Sequence, residues 1–259
     1  MAGFKIPVFE NGTVLTQEML NAMKANILDS EQLPYINYAN GILSGCEVSM
    51  SGNMVYVHEG IVIFQRNLYF LSKEMKITVR PSQDWQVLRF HIGNVNQNKN
   101  FMIGEMQLEL SDHLQGNENE IEICRFRLQN GALLRNSYRN FQDMGTEFDT
   151  VNEVYAQWSG YQESSVSFRV LCEFAKEALK GTISDQLDIM MVHQILNLNG
   201  TTMNRQALQF YVANRTGREY RQLSNMDIYR GLQEILRMMQ GASQSTNMRS
   251  RENRRILVD

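Results

Sequence analysis

Cysteine, proline and long apolar runs are all scarce in this 259-residue chain. The three cysteines, Cys46, Cys124 and Cys172, lie far apart, and an odd, sparse set makes no disulfide framework. They read as reduced thiols in a reducing compartment, with a spatial pairing of two of them as the alternative. Three prolines and 17 glycines exclude collagen-like and fibrous classes. The longest apolar stretches, residues 60–64 and 189–192, fall far below the roughly 20 residues that a membrane-spanning helix needs. The first ten residues hold one lysine and no apolar stretch of signal-peptide length. The expectation is a protein without a signal peptide, soluble where it is made, that leaves the cell only by lysis or inside an assembly.

Catalytic and cofactor signatures are missing as well. The four histidines, His58, His91, His113 and His193, have no second His or Cys at metal-ligand spacing, so no metal is expected. No GxGxxG or GxxxxGK[ST] loop is present to cradle a phosphate, and no GxSxG elbow to present a nucleophile. Cys46 and Cys124 sit in strand-like segments with no neighbouring base to lower a thiol pKa. The pairs Glu118/Glu120 and Glu109/Asp112 read as surface acids. No catalytic residue and no cofactor is expected, and the protein is not expected to be an enzyme.

What is there is a globular composition, 43% hydrophobic and 20% charged, with a net charge of −3 that gives no steering field for polyanions. Sixteen methionines, many at helical spacing, read as adaptable core filler. Residues 13–28 carry Leu15, Met19, Leu20, Met23 and Ile27 on one helical stripe, with Thr16 as N-cap. From Gly45 the period becomes two. Hairpins are expected at 46–58, turning on Ser51-Gly52-Asn53, and at 61–71, turning on Gln65-Arg66-Asn67. Further strands follow at 75–80, 85–92, 101–110 and 121–128, and Asn130-Gly131 predicts a hairpin returning through 132–135. Strand after strand with short turns argues for an antiparallel sandwich or barrel-like unit.

After Phe141 the pattern turns helical. Thr146 to Asp149 reads as a helix start. Residues 166–179, a helix capped by Ser184, 204–214, and 228–239 opened by the Ser224/Asp227 capping box read as helices, with Gly181 and Gly241 as stops. On the Ser184-capped helix Leu187, Met190, Met191, Ile195 and Leu196 are expected inward. The fold class is therefore α+β: a β-rich N-terminal domain preceded by a short helix (1–145), an all-helical domain (146–242), and a basic, mobile tail (243–259). The domain boundary falls between Phe141 and Glu153.

Two groups are candidate interfaces. Tyr155, Trp158 and Tyr161 stand together around Gly160, either as exposed anchors for a neighbour or as a hinge core between the halves. Arg249, Arg251, Arg254 and Arg255 of the tail either dock on an acidic neighbouring subunit or neutralise phosphates. With Glu252 among them and a negative chain overall, the docking arm is favoured and nucleic acid is disfavoured.

The run LTQEMLNAM, then YINYANGILSGCEVSMSGNMVYVHEGIVIFQRNLYFL, and later GTEFDTVNEVYAQWSGYQESSVSFRVLCEFAKEAL, resemble proteins of tail-gene clusters in phages and prophages of Gram-positive gut bacteria. The resemblance covers about residues 13–240. Some relatives carry a helicase label, which the lack of any Walker motif removes here. The resemblance implies a structural subunit of a phage tail or contractile, tail-like particle. It would be made in the bacterial cytoplasm and built into the baseplate or tail tip, in several copies, beside other tail or baseplate proteins. It supplies no catalytic residues. The alternatives are a carbohydrate or host-receptor binder using Trp85 or the 94–100 loop, and a nucleic-acid-binding regulator using the tail.

Overall fold

The computed structural model describes residues 5–252, and the side chains of all of these except Leu28, Asp29, Met102 and 242–252. It is an α+β structure, with antiparallel sheets first and helices after.

The first helix, α1 (Gln17–Gln32), starts where the sequence places it, because the Thr16 hydroxyl accepts a hydrogen bond from Met19 N at 3.2 Å. Pro34 sits in the 3-10 turn that follows, Leu33–Tyr35. The strands then form small antiparallel sheets. β1 (Gly41–Gly45), β4 (Gly60–Phe64) and β5 (Asn67–Leu71) make one, in the order β1-β4-β5. β2 (Val48–Ser51), β3 (Met54–Val57) and β6 (Met75–Thr78) make a second. β7 (Ser82–Ile92), flanked by β10 (Met106–Ser111) and β11 (Glu120–Leu128), makes a third. A two-stranded ribbon, β8 (Asn96–Gln97) and β9 (Met102–Ile103), projects from it.

Alternation drives one face of each sheet into a shared core. Val55, Val57, Val62, Leu88, Phe90, Ile121, Cys124 and Phe126 are all buried there. The β4–β5 turn has Gln65 and Arg66 at φ of 49° and 66°, the left-handed pair that a two-residue hairpin requires.

The helical half packs α2 (Phe168–Ala178), α3 (Gln186–Leu196), α4 (Arg205–Thr216) and α5 (Asn225–Glu252) around a second core. Phe141 leads an aromatic chain there, 5.8 Å from Phe174 and 4.9 Å from Tyr229 by ring centroids. Ser224 and Asp227 cap α5 reciprocally, Asp227 N donating to Ser224 Oγ at 3.1 Å and Ser224 N to Asp227 at 3.3 Å.

Six local expectations fail. The strand expected at 101–110 is broken at Gly104-Glu105 into β9 and β10, which belong to different sheets. Asn130-Gly131 turns, but residues 132–135 do not pair back. Arg135 instead bonds the 149–151 segment, Arg135 N to Asp149 O at 3.0 Å and Val151 N to Arg135 O at 2.8 Å. Residues 146–149 open no helix. A 3-10 turn at Phe141–Gly145 leads into an extended strap, 146–165. Asp185, not Ser184, caps α3. Leu187, Met190 and Leu196 of α3 lie outside the core, exposed by 38%, 58% and 57%. Gly241 does not stop α5, which runs on to Glu252. One interior glycine costs a helix only about 1 kcal/mol, and the Ala-Ser-Gln-Ser that follows contains no breaker. Residues 253–259 lie outside the described part.

Candidate functional site

The strap, rather than a linker, joins the two cores. It lies along β11, with Arg125 N and O both bonded to Asn152 and Gln157 N donating to Glu122 O at 2.8 Å. It then crosses to β1, where Ile42 N donates to Gln157 O at 2.9 Å and Ser159 N to Ile42 O at 2.7 Å. Single bridges of this kind carry no periodic signature, and that is why the sequence reads the segment as a boundary. Val151, Asn152, Glu153, Val154, Ala156, Trp158 and Ser159 of the strap are all buried.

The three aromatics divide. Trp158 is 6% exposed in the β core, with its ring 6.3 Å from Phe168 at the start of α2. Tyr155 is half-buried, with the Arg125 guanidinium 3.8 Å over its ring. Tyr161 is 45% exposed and meets Tyr38 edge-on at 6.2 Å. Trp158 packs in the β core and Tyr155 against the helical core, so both lie at the joint, and Tyr161 is the one of the three that faces solvent. Arg249 and Arg251 fall on the last turns of α5, without described side chains, and Arg254 and Arg255 lie outside the described residues.

A cavity of about 440 Å³ opens at the joint, lined by Cys46, His58, Glu153, Arg169 and Cys172 among others. Burial pushes Glu153 above the usual carboxylate range, against the pull of the Arg169 guanidinium, whose Nη1 donates to it at 2.9 Å. Burial also pushes the Cys46 thiol up to about 12 and raises Cys124 and Cys172. None of the three is a ready thiolate at neutral pH. All three are free in the structure.

Two polar clusters appear that the sequence could not show, since each forms only once strands are in register. Ser49 Oγ lies 2.7 Å from His58 Nε2, and His58 Nδ1 is 3.9 Å from Glu74. This row has the order of a hydrolytic triad. Of the backbone N–H groups of this hairpin, Cys46 N donates to Glu59 O and His58 N to Glu47 O, so neither of these two is free to serve an oxyanion hole.

The second cluster is His91, Glu109 and Glu120, with candidate ligand atoms all within 4.8 Å of one another. It does not fit a resident metal. Arg89, 2% exposed, already faces Glu120 at 3.6 Å. Against the upward push of burial, hydrogen bonds from Asn117 and the Arg89 charge hold Glu120 below its usual range. Asn119 Nδ2 lies 3.3 Å from His91 Nε2, on the other side of the ring.

An exposed apolar surface lies elsewhere. Residues 5–16 lead into α1, and the main contacts of α1 with other elements are to the 3-10 turn at its base; together they are called the arm. Lys5 is tied back to α1 by an ion pair with Glu18 and by Asn26 Nδ2, which donates to its carbonyl at 3.0 Å. Yet Ile6, Val8, Phe9, Val14 and Leu15 are 54–79% exposed, and Leu20, Met23 and Ile27 of the predicted stripe are 37–54% exposed. The helix and its stripe were legible in the sequence; that the stripe faces solvent was not.

No family model and no curated protein matches the chain. Among solved structures it is similar, over 92% of its length, to a crystal structure of TssK, covering 72% of that chain at 7% identity with a TM-score of 0.41. It is also similar, again over 92%, to the cryo-electron microscopy structure of the type VI secretion system TssK-TssF-TssG baseplate subcomplex. There it covers 99% of the matched chain at 8% identity with a TM-score of 0.37. Likeness of this degree carries no argument about role. Among the described residues, no helix is long and apolar enough to cross a membrane.

Proposed function

We propose that this chain is a structural subunit of a phage tail or phage-tail-like contractile particle, sited at the baseplate or tail tip and acting by assembly with other tail proteins. The observation that carries the assembly role is the arm. A 16-residue helix is marginal in water by itself, and its stability in proteins comes from burying an apolar face. Here that face is unburied in the single chain. A large exposed apolar patch marks an interaction surface. The outer side of α3, with Leu187, Ile189, Met190 and Leu196 exposed, offers a second one. The tail and baseplate part of the proposal comes from the resemblance of residues 13–240 to phage tail-cluster proteins.

In this role the welded cores form a rigid body and the arm is the joining element. No catalytic step is required of it, and its partners are proteins rather than membrane or nucleic acid. The glycan-binding reading finds less support, because Arg127 occupies one face of the Trp85 ring, 4.8 Å from its centroid. The test is to fractionate the producer's lysate on a density gradient and probe for the chain. Co-migration with intact particles containing sheath, tube or baseplate proteins supports the proposal. A chain found wholly among free proteins, while particles are present, overturns it.

A further inference from the structure

The arm has a complementary surface on its own chain. A groove of about 990 Å³ runs beside β5, floored by that strand and walled by the β8–β9 ribbon on one side and the end of α1 on the other. β5 is the last strand of its sheet, so one side of its backbone has no strand partner. Free edges of this kind accept an added strand. The groove presents Phe70, Val95 and Phe101, exposed by 59%, 44% and 66%. It also presents Lys24 and Lys73 and one acid, Glu74, which lies 3.9 Å from His58; neither lysine has an acidic partner among the described residues.

We propose that residues 5–15 of one copy lie in this groove of a second copy, so that two or more chains exchange arms. The inference rests on the assembly role proposed above and names a second copy of this chain as one of the partners.

Four features of the arm fit the groove. Residues 5–10 have no regular secondary structure of their own. Extended, six residues span about 20 Å, somewhat more than the roughly 17 Å of the five-residue edge strand. Pro7 lacks an N–H, which suits an outermost strand. Glu10 is the acid to meet Lys24 or Lys73.

A second copy is favoured over a foreign protein by geometry and by area. The arm springs from the rim of the groove itself, since Lys24 and Gln32 of α1 help to line it. Two copies meeting at this rim can therefore swap arms over a short distance, a low-cost route to symmetric assembly. Within residues 5–15 five large apolar side chains, Ile6, Val8, Phe9, Val14 and Leu15, are exposed by 54–79%. At roughly 100 Å² each an arm offers on the order of 500 Å², and the groove that each copy fills adds about as much again, comparable with the roughly 800 Å² per partner of a standard interface.

The test uses the full chain with single substitutions at exposed sites, Phe9→Asp in the arm and Phe70→Asp in the groove, each checked by circular dichroism for an unchanged fold. Self-association is measured by light scattering after size exclusion. Wild type is expected to be oligomeric at micromolar concentration, and each variant at least tenfold weaker. Mixing the two variants, labelled with donor and acceptor dyes, is expected to restore energy transfer, because one has an intact groove and the other an intact arm. A monomeric wild type, variants that still self-associate, or a mixture without recovery each overturns the exchange. A monomeric wild type that still co-migrates with tail particles would remove the exchange and leave the assembly role standing. Arm exchange in a chain absent from particles would do the reverse.

Discussion

Glu153, on the strap, and Arg169, on the first turn of α2, meet at 2.9 Å across the joint between the two cores. The carboxylate is buried, and Arg169 also donates to the Asn136 carbonyl. Removing the guanidinium strands a buried acid. Arg169→Ala is therefore expected to lose about 3 kcal/mol at pH 8. The deficit should shrink as pH falls, because burial already holds Glu153 above the usual range and protonation removes its uncompensated charge. Urea denaturation of both proteins at pH 8 and pH 5 checks this. A deficit that is constant with pH contradicts it.

The strap's crossing of β1 depends on Gly41, at φ of 152°. A Cβ there would meet Ser159 N at 2.7 Å and Gln157 O at 2.8 Å, both backbone atoms that cannot swing aside. Gly41→Ala is expected to cost more than about 2 kcal/mol and to speed hydrogen exchange at Ile42 and Ser159 before the rest of the chain. Exchange mass spectrometry reads the order directly.

Acid should weaken the 3-10 corner that leads into the strap. Hydrogen bonds from Arg135, at 2.7 Å to both carboxylate oxygens, hold Asp143 well below the usual carboxylate range, against burial. A depressed acid contributes stability above its unfolded pKa and loses it as pH falls through the folded one. Asp143→Asn is expected to be about 2 kcal/mol less stable than wild type at pH 7. The gap should begin to close once pH drops below the ordinary aspartate value near 4. A gap unchanged at low pH would show that the pair is not the source.

The aromatic trio should separate by function. Trp158→Ala empties a core position and is expected to cost about 3–5 kcal/mol. Tyr161→Ala should cost less than about 1 kcal/mol in stability, since the ring is half exposed and loses mainly its edge contact with Tyr38. Thermal melts of the two variants distinguish the positions, and equal losses would place Tyr161 in the joint as well.

Much of this fold is legible locally. Thr16 and Ser224 cap their helices as the sequence indicates, and the 46–58 and 61–71 hairpins form at the turns their residues specify. These features depend on residues a few positions apart. Apart from local misses such as the Asp185 cap of α3 and the run of α5 through Gly241, what escaped depends on distant ones. The strap is held by bridges such as Ile42–Trp158 and Arg125–Asn152, whose partners lie 116 and 27 positions apart in sequence. The Ser49–His58–Glu74 and His91–Glu109–Glu120 clusters need strand register before they exist. The helical stripe of α1 was legible, but periodicity says only that a face is apolar, not whether its own chain or another covers it.

In the assembly role proposed here, the apolar arm joins the body to its neighbours. The most direct measurement compares tagged wild type with a Leu20→Asp/Ile27→Asp variant, each purified from the native producer and identified by mass spectrometry with its companions. Both residues are about half exposed, so the variant should melt within about 1 kcal/mol of wild type. The prediction is that sheath, tube or baseplate proteins accompany wild type and are lost from the variant. Tail proteins recovered equally with both, or with neither, would contradict it.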